Sequence, residues 1–135
     1  MISREKILLL GTDGSLGKYL FKRLEASQYS IISYNKKVNS YEKFLVDLNK
    51  IYKKYSFSII INCIAATDLK KCELNKLYSY NGNVLPLKVI NDFCEEKNDR
   101  FLIIHFSTDQ IYSGKRRNEE SENYPINEYG RSKLI

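Results

Sequence analysis

Tyr129 and Lys133 stand four residues apart in the stretch "NEYGRSKLI". On a helix that spacing stacks the two side chains on one face, one turn apart. A free tyrosine has a pKa of ~10 and is a poor acid or base near neutrality. An ammonium beside it favours the phenolate and lowers that pKa, which is the tuning that general acid–base catalysis requires. Alone, a Tyr-x-x-x-Lys pair is ordinary helix surface. A second stretch changes its weight. "HFSTDQIYSG" puts Ser107 and Thr108 at the end of an apolar run, and open α/β sheets bind ligands at the C-terminal ends of their strands. Reducing a carbonyl takes a hydride to carbon and a proton to oxygen. Tyr129 can give the proton, Lys133 the electrostatic support and a contact to a cofactor ribose, and Thr108 a hydrogen bond that holds the carbonyl.

A phosphate-binding loop is the second constellation. "GTDGSLG" spaces Gly11, Gly14 and Gly17 as GxxGxxG, directly after the apolar run "KILLL" and before an amphipathic stretch. Three glycines are also what a tight turn with packing glycines would use, but strand, glycine loop and helix in that order is the context that dinucleotide binding needs. A side chain there would block the approach of the backbone to a pyrophosphate, whose charge the free N–H groups and the helix dipole stabilise. Such folds often carry an acid ~20 residues further on, for the adenosine ribose hydroxyls. Here the second strand ends in "SYNKK", with no acid between Ser30 and Tyr41. Lys36 or Lys37 could pair with a 2′-phosphate, so the expectation favours NADP(H) over NAD(H); simple solvation of both lysines is the alternative.

The elements that must position these groups follow from periodicity. Lys6–Leu10 reads as a strand buried on both faces. Leu16, Tyr19, Leu20 and Leu24 then fall at helical spacing. "IISY" is a second strand, and any strand before the next helix is reduced to about residues 37–39. Phe44, Leu45, Leu48, Ile51, Tyr52 and Tyr55 predict a helix with Ser40 as N-cap. "FSIIIN" is a strong strand, and a long helical pattern over residues 69–97 carries Gly82 and Pro86, which predict a break or bend. "FLIIHF" is the next strand, residues 109–127 a polar loop, and Asn127 or Glu128 the start of a last helix. Strands alternating with helices imply βαβ units: a Rossmann-type, doubly wound parallel α/β sheet of about five strands with helices on both faces. No repeat, low-complexity tract or linker divides it, so residues 1–135 form one NAD(P)-binding domain.

Bulk properties exclude other classes. At 43% hydrophobic and 28% charged residues the composition is that of a globular protein. No apolar run approaches the ~20 residues of a membrane helix. "MISREKILLLGTDGS" runs into glycines without a small-residue cleavage site; it reads as a strand and not a signal peptide, which points to the cytoplasm. Cys63, Cys72 and Cys94 are odd in number and form no CxxC, so neither a disulfide framework nor a metal site is expected. His105, the single histidine, reads as a core or strand-end residue. The net charge of +6 is spread over Lys36-Lys37, Lys53-Lys54, Lys70-Lys71 and the cluster Lys115-Arg116-Arg117. These read as solvated faces; nucleic acid is not an expected partner, whereas a small anionic nucleotide suits the same excess.

With these motifs in place, the sequence resembles the extended, sugar-nucleotide branch of the short-chain dehydrogenase/reductase superfamily, and more narrowly the dTDP-4-dehydrorhamnose reductases. "GTDGSLG" matches the family's glycine loop, "NCIAATDLKKCE" resembles its N-A-A-A-x-T-x-V-D-x-A-E block, "STDQIYSG" its S-T-D-Y-V-F-x-G and "PINEYGRSKL" its P-L-N-x-Y-G-x-S/T-K-L. The resemblance implies that Gly11, Gly14 and Gly17, with the backbone near Ser15 and Leu16, hold the pyrophosphate. It further implies that Ala65, Ala66 and Thr67 line the adenosine and nicotinamide-ribose side, that Asn81 is the helix asparagine supporting the site, and that Thr108, Tyr129 and Lys133 are the catalytic triad.

It depicts an NADPH-dependent reductase of a 4-keto-6-deoxy nucleotide sugar, serving surface polysaccharide synthesis, with a nucleotide-sugar partner and a homodimer open for the full-length form. An epimerase or dehydratase, or a non-catalytic nucleotide-binding or regulatory protein that keeps the fold, stay as alternatives. There are departures. Cys63, Ile64 and Cys72 replace alanines, Gln110 replaces an aromatic residue, and the family's G-D adenine-side segment has no counterpart. Family members run to roughly twice this length, so the sheet and the sugar pocket are expected to be incomplete here and the last helix cut short, with this chain inactive alone.

Overall fold

A computed structural model describes residues 4–113 and 123–134; the Lys115-Arg116-Arg117 cluster lies outside them. Four strands, β1 (Lys6–Leu10), β2 (Ser30–Tyr34), β3 (Ile59–Asn62) and β4 (Leu102–His105), form a parallel sheet in the order β2-β1-β3-β4. Helices α1 (Ser15–Glu25) and α2 (Tyr41–Tyr55) follow the first two strands. Then α3 (Leu69–Leu74), α4 (Lys76–Asn83) and α5 (Leu85–Lys97) link β3 to β4, and α6 (Glu128–Lys133) comes last. This is the expected open, Rossmann-like α/β fold with helices on both faces.

β1 shows why its sequence is apolar throughout. Leu8 and Leu10 point into one cluster with Phe44, Leu48, Val89, Ile90 and Phe93, from α2 and α5. Ile7 and Leu9 point into the other, with Ile61 and, from α1, Leu20, Phe21 and Leu24. A strand flanked on both edges and covered on both faces has no polar side to show. On the α2/α5 side, Tyr52, Phe57, Phe93 and Phe101 form an aromatic tetrad with every pair of ring centroids 5.4 to 6.0 Å apart.

Three expectations are corrected. Residues 37–39 form no strand: Val38 drops into the α2/α5 core while Lys37 and Asn39 stay exposed, an alternation that mimics a strand without a ladder partner. The long helical pattern breaks at Asn75 and Val84, and not at Gly82 or Pro86. Asn75 closes α3 through its N–H on Lys71 O and opens α4 by accepting the Tyr78 N–H at 3.0 Å, the double service that a short amide side chain can give. Gly82 stays helical and Pro86 sits in the first turn of α5, where a missing N–H costs nothing. Leu16 and Tyr19 belong to the exposed side of α1, whose inward stripe is the buried Gly17 with the half-buried Leu20, Phe21 and Leu24.

β4 is the sheet edge opposite β2, and its Leu102 and Ile104 side chains are exposed on the α1 side, which α1 does not reach. Ile103 faces the α2/α5 core. Phe93→Ala is expected to lower the unfolding free energy by about 3–5 kcal/mol through loss of burial and a residual cavity, whereas Leu102→Ala on the open face changes it by less than about 1 kcal/mol. Urea titration of the two variants measures the contrast.

Candidate active site

The C-terminal ends of β1 and β3 come together at the glycine loop. Gly11 has φ +81°, and a Cβ there would lie 2.8 Å from the Cys63 carbonyl carbon. A Cβ on Gly17 would lie 2.0 Å from Gly11 O. These two glycines are required by the protein's own packing. Gly14 is different: a Cβ there meets nothing closer than Gly11 O at 3.6 Å, so packing does not demand it. Gly14 is the N-cap of α1, gives no side-chain cap to the first turn, and leaves room over the loop. The exposed first-turn residues Ser15 and Leu16 place their N–H groups at this helix start, where they have no intrahelical partner.

A cleft of ≈ 460 Å³ opens beside the loop. Of the expected cofactor residues, Gly11, Gly14, Lys36, Lys37, Ala65, Ala66 and Asn81 line it, joined by Cys63, Lys71 and Tyr78. Thr67, exposed just beyond Ala66, does not line it, and neither do Ser15, Leu16, Gly17, Tyr129 and Lys133. Gly82 underlies the wall: a Cβ there would sit 2.5 Å from the Ala66 Cβ. On the rim, Lys36 pairs with Asp47 at 3.2 Å, and Asp47 also accepts from the Tyr34 hydroxyl at 2.9 Å. Burial, then that hydrogen bond and charge, push the Tyr34 pKa up. Asp47 on α2 therefore engages Lys36, and Lys37 makes no ion pair among the described residues. Burial raises the Cys63 thiol to about 11, so it is a neutral wall residue near pH 7.

Past the end of β4, the turn that starts at Thr108 packs against α6, the helix that carries Tyr129 and Lys133. Thr108 caps a 3-10 turn (Asp109–Ile111), its hydroxyl accepting the Gln110 N–H at 3.2 Å. The turn is pinned to α6 at two points. Asn127, the N-cap of α6, donates to Gln110 Oε1 at 2.9 Å while accepting the Gly130 N–H at 2.7 Å. Gly130 packs so closely on Gln110 that a Cβ would lie 2.2 Å from its carbonyl oxygen. Lys133 is only 6% exposed, donates to Phe106 O at the end of β4, and has its pKa lowered by burial. Tyr129 is half-buried one turn earlier on α6.

Two supporting residues carried no readable signal of role in the sequence. Asn83, fully buried, accepts the Ala66 N–H at 2.8 Å and donates to Ala66 O at 3.0 Å and to Ser132 Oγ at 2.8 Å. Asn81, expected to support the site, lies two residues before it on the cleft wall. Asn62 donates to His105 Nδ1 at 3.1 Å and accepts the Ile64 N–H at 3.1 Å. His105 is thus a strand-end histidine, as expected. Its Nε2 is buried with no partner among the described residues, and burial, then the Lys133 charge, lower its pKa.

Residues 5–135 match the family model described as the RmlD substrate binding domain. The chain belongs to this family. Its RmlD-type relatives include the "Probable low-salt glycan biosynthesis reductase Agl14" of Haloferax volcanii, 29% identical over 136 residues that cover 92% of this chain and 45% of that protein. Among solved structures, dTDP-4-dehydrorhamnose reductase from Clostridium acetobutylicum superposes with a TM-score of 0.80 at 26% identity, covering 96% of this chain and 46% of that one. The Bacillus anthracis dTDP-4-dehydrorhamnose reductase, solved in complex with NADP, superposes with a TM-score of 0.83 at 24% identity, covering 98% and 48%. The chain spans about half the length of these RmlD-type proteins.

The lowered His105 pKa fixes a sign. An unfolded histidine titrates near ~6.5, so below that pH the unfolded state takes up a proton that the folded state refuses. Unfolding free energy is expected to fall as pH drops from about 6.5 toward the lower folded value. The wild-type slope over this window should exceed that of His105→Gln in denaturant titrations at each pH.

Proposed function

We propose that this chain carries the cofactor cleft and the proton-transfer residues of an NAD(P)H-dependent reductase acting on a 4-keto-6-deoxy nucleotide sugar of the dTDP-4-dehydrorhamnose type, in the synthesis of polysaccharide precursors. The observation that carries the reading is the double pinning of α6 to the Thr108 turn, with the buried Lys133 held on Phe106 O. It supports a common site for the hydroxyl, the phenol and the ammonium, and Ser132 on the same helix is bonded through Asn83 to Ala66 of the cleft wall. A free-standing helix would give the same residues no common site.

The cleft residues suit a dinucleotide. Gly14 leaves the loop backbone open to a pyrophosphate, the α1 N-terminus adds its dipole, and the small Ala65 and Ala66 leave space along the wall. Lys37 at the rim supports NADP(H) over NAD(H). Bound nicotinamide supplies the hydride to the carbonyl carbon. Thr108 donates to the carbonyl oxygen and orients it. Tyr129 gives that oxygen its proton as the alkoxide develops, and Lys133 stabilises the phenolate left behind. Lys133 is suited to this because it is already largely stripped of water, so its charge acts at short range through few screening dipoles.

Calorimetry on this chain is expected to show NADPH binding, with Lys37→Glu weakening NADPH by about tenfold relative to NADH, the worth of one charge-assisted hydrogen bond. Equal affinities of wild type for both cofactors would sink the NADP preference. In a version extended to the length of its relatives, Tyr129→Phe should cut turnover of the keto-sugar by at least about a hundredfold with cofactor affinity retained. Stoichiometric consumption of NADPH separates reduction from epimerisation, which returns its cofactor unchanged.

A further inference from the structure

The cleft wall and the proton-donor helix are separate elements, more than forty residues apart in sequence between Ala66 and α6, yet one side chain bonds both. Asn83 uses its whole amide. Its Oδ1 takes the Ala66 N–H, and its Nδ2 hydrogens go to Ala66 O and to Ser132 Oγ. Ser132 Oγ in turn donates to Tyr129 O at 2.8 Å. The backbone of the cleft-lining Ala66 is thereby linked through two buried side chains to the backbone of Tyr129. Both side chains are nearly inaccessible, Asn83 at 1% and Ser132 at 6%. Buried polar groups of this kind are costly to leave unpaired, and their partners polarise one another.

We infer that Asn83 is a positioning residue that, with Ser132, makes the Ala66 wall and the Tyr129 turn one mechanical unit, so that a dinucleotide filling the cleft also fixes the proton donor. The geometry allows little else. Gly82 lets α4 lie against Ala66 with no intervening side chain, so any movement of the wall is passed to the adjacent Asn83. On the far side Ser132 shares its hydroxyl between Asn83 and the Tyr129 carbonyl of its own helix, so a shift of α6 along its axis breaks the Asn83 bond while the turn that bears Tyr129 moves with Ser132. The alternative amide rotamer of Asn83 would set its NH2 against the Ala66 N–H and its oxygen against Ala66 O, so the orientation is fixed by the loop. The ligand side of this inference rests on the reductase reading above; the linkage itself does not.

The test is amide hydrogen exchange, read residue by residue on this chain. Ser132→Ala removes one hydroxyl on α6 and touches neither Ala66 nor the cleft. Linkage predicts that it speeds exchange of the Ala66 amide by about tenfold, the factor that one buried hydrogen bond is worth, and that Ser132→Thr, which keeps the hydroxyl, restores it. An Ala66 rate within twofold of wild type in Ser132→Ala would overturn the linkage. With NADPH added, wild type should gain protection at the α6 amides of Gly130 and Arg131, and Asn83→Ala should gain at least about fivefold less. If wild type binds no NADPH, the cofactor reading falls while the Ala66 rate still decides the linkage; binding without any gain at α6 overturns the coupling of ligand to donor.

Discussion

Everything in this fold hangs on the insulation of β1. It is hydrogen-bonded on both edges, by β2 and β3, and its side chains alternate into two separate cores. Each of Ile7, Leu8, Leu9 and Leu10 is worth roughly 1.5–3 kcal/mol of burial, and a polar side chain at any of them would be buried among apolar neighbours. One strand therefore fixes α1 against one face and α2 and α5 against the other. Because the ladder on β1 is parallel and in register with both neighbours, the ends of β1 and β3 arrive at the same level, and the chain must leave the sheet there in two tight turns. Gly11 and Cys63 meet in that crowding, and the cleft is what remains open above it.

The same level carries the chemistry. Asn62 and His105 are ladder partners, so the bond between their side chains joins the last residues of two strands just before each chain turns toward the site. From there, the path to Tyr129 runs through short-range packing of small residues: Gly82 on Ala66, Gly130 on Gln110. Glycine in the middle of a helix costs about 1 kcal/mol against alanine. Gly82 and Gly130 bear that cost where a methyl group would collide with backbone or side chain, so the close approach of elements, and not flexibility, is what they provide. Glu73 adds a further tie, accepting the Glu128 N–H at the first turn of α6.

Much of this was legible in the residues. The strands were given by uninterrupted apolar runs, α2 by its periodicity and its Ser40 cap, and the glycine loop by its place between strand and helix. Thr108, Tyr129 and Lys133 were readable as a set because their types matched one chemistry, and the structure adds the contacts that pin the turn after Thr108 to α6. The illegible parts have physical reasons. Leu74 and Leu77 keep helical spacing yet are 78% and 66% exposed, because periodicity reports a face and not what covers it. Asn81 and Asn83 are indistinguishable in "YNGN"; only the position of Ala66, seventeen residues away, decides which amide is buried. Gln110 looked like a weakened aromatic position, whereas its carboxamide is the anchor for Asn127.

The two ends of the cleft present different fields to solvent, and they differ in reach. At the glycine loop the field comes from backbone N–H groups at the start of α1, a partial charge that acts within about one turn. At the rim it comes from Lys36 and Lys37, both exposed, with Asp47 cancelling much of the first. Charges in that setting are screened over about 8 Å at physiological salt. The reach of the rim charges is therefore a property of the solution as much as of the protein. The field of the loop, set by backbone groups at the start of α1, fades within about one helical turn, so it acts on a group in contact and on little else.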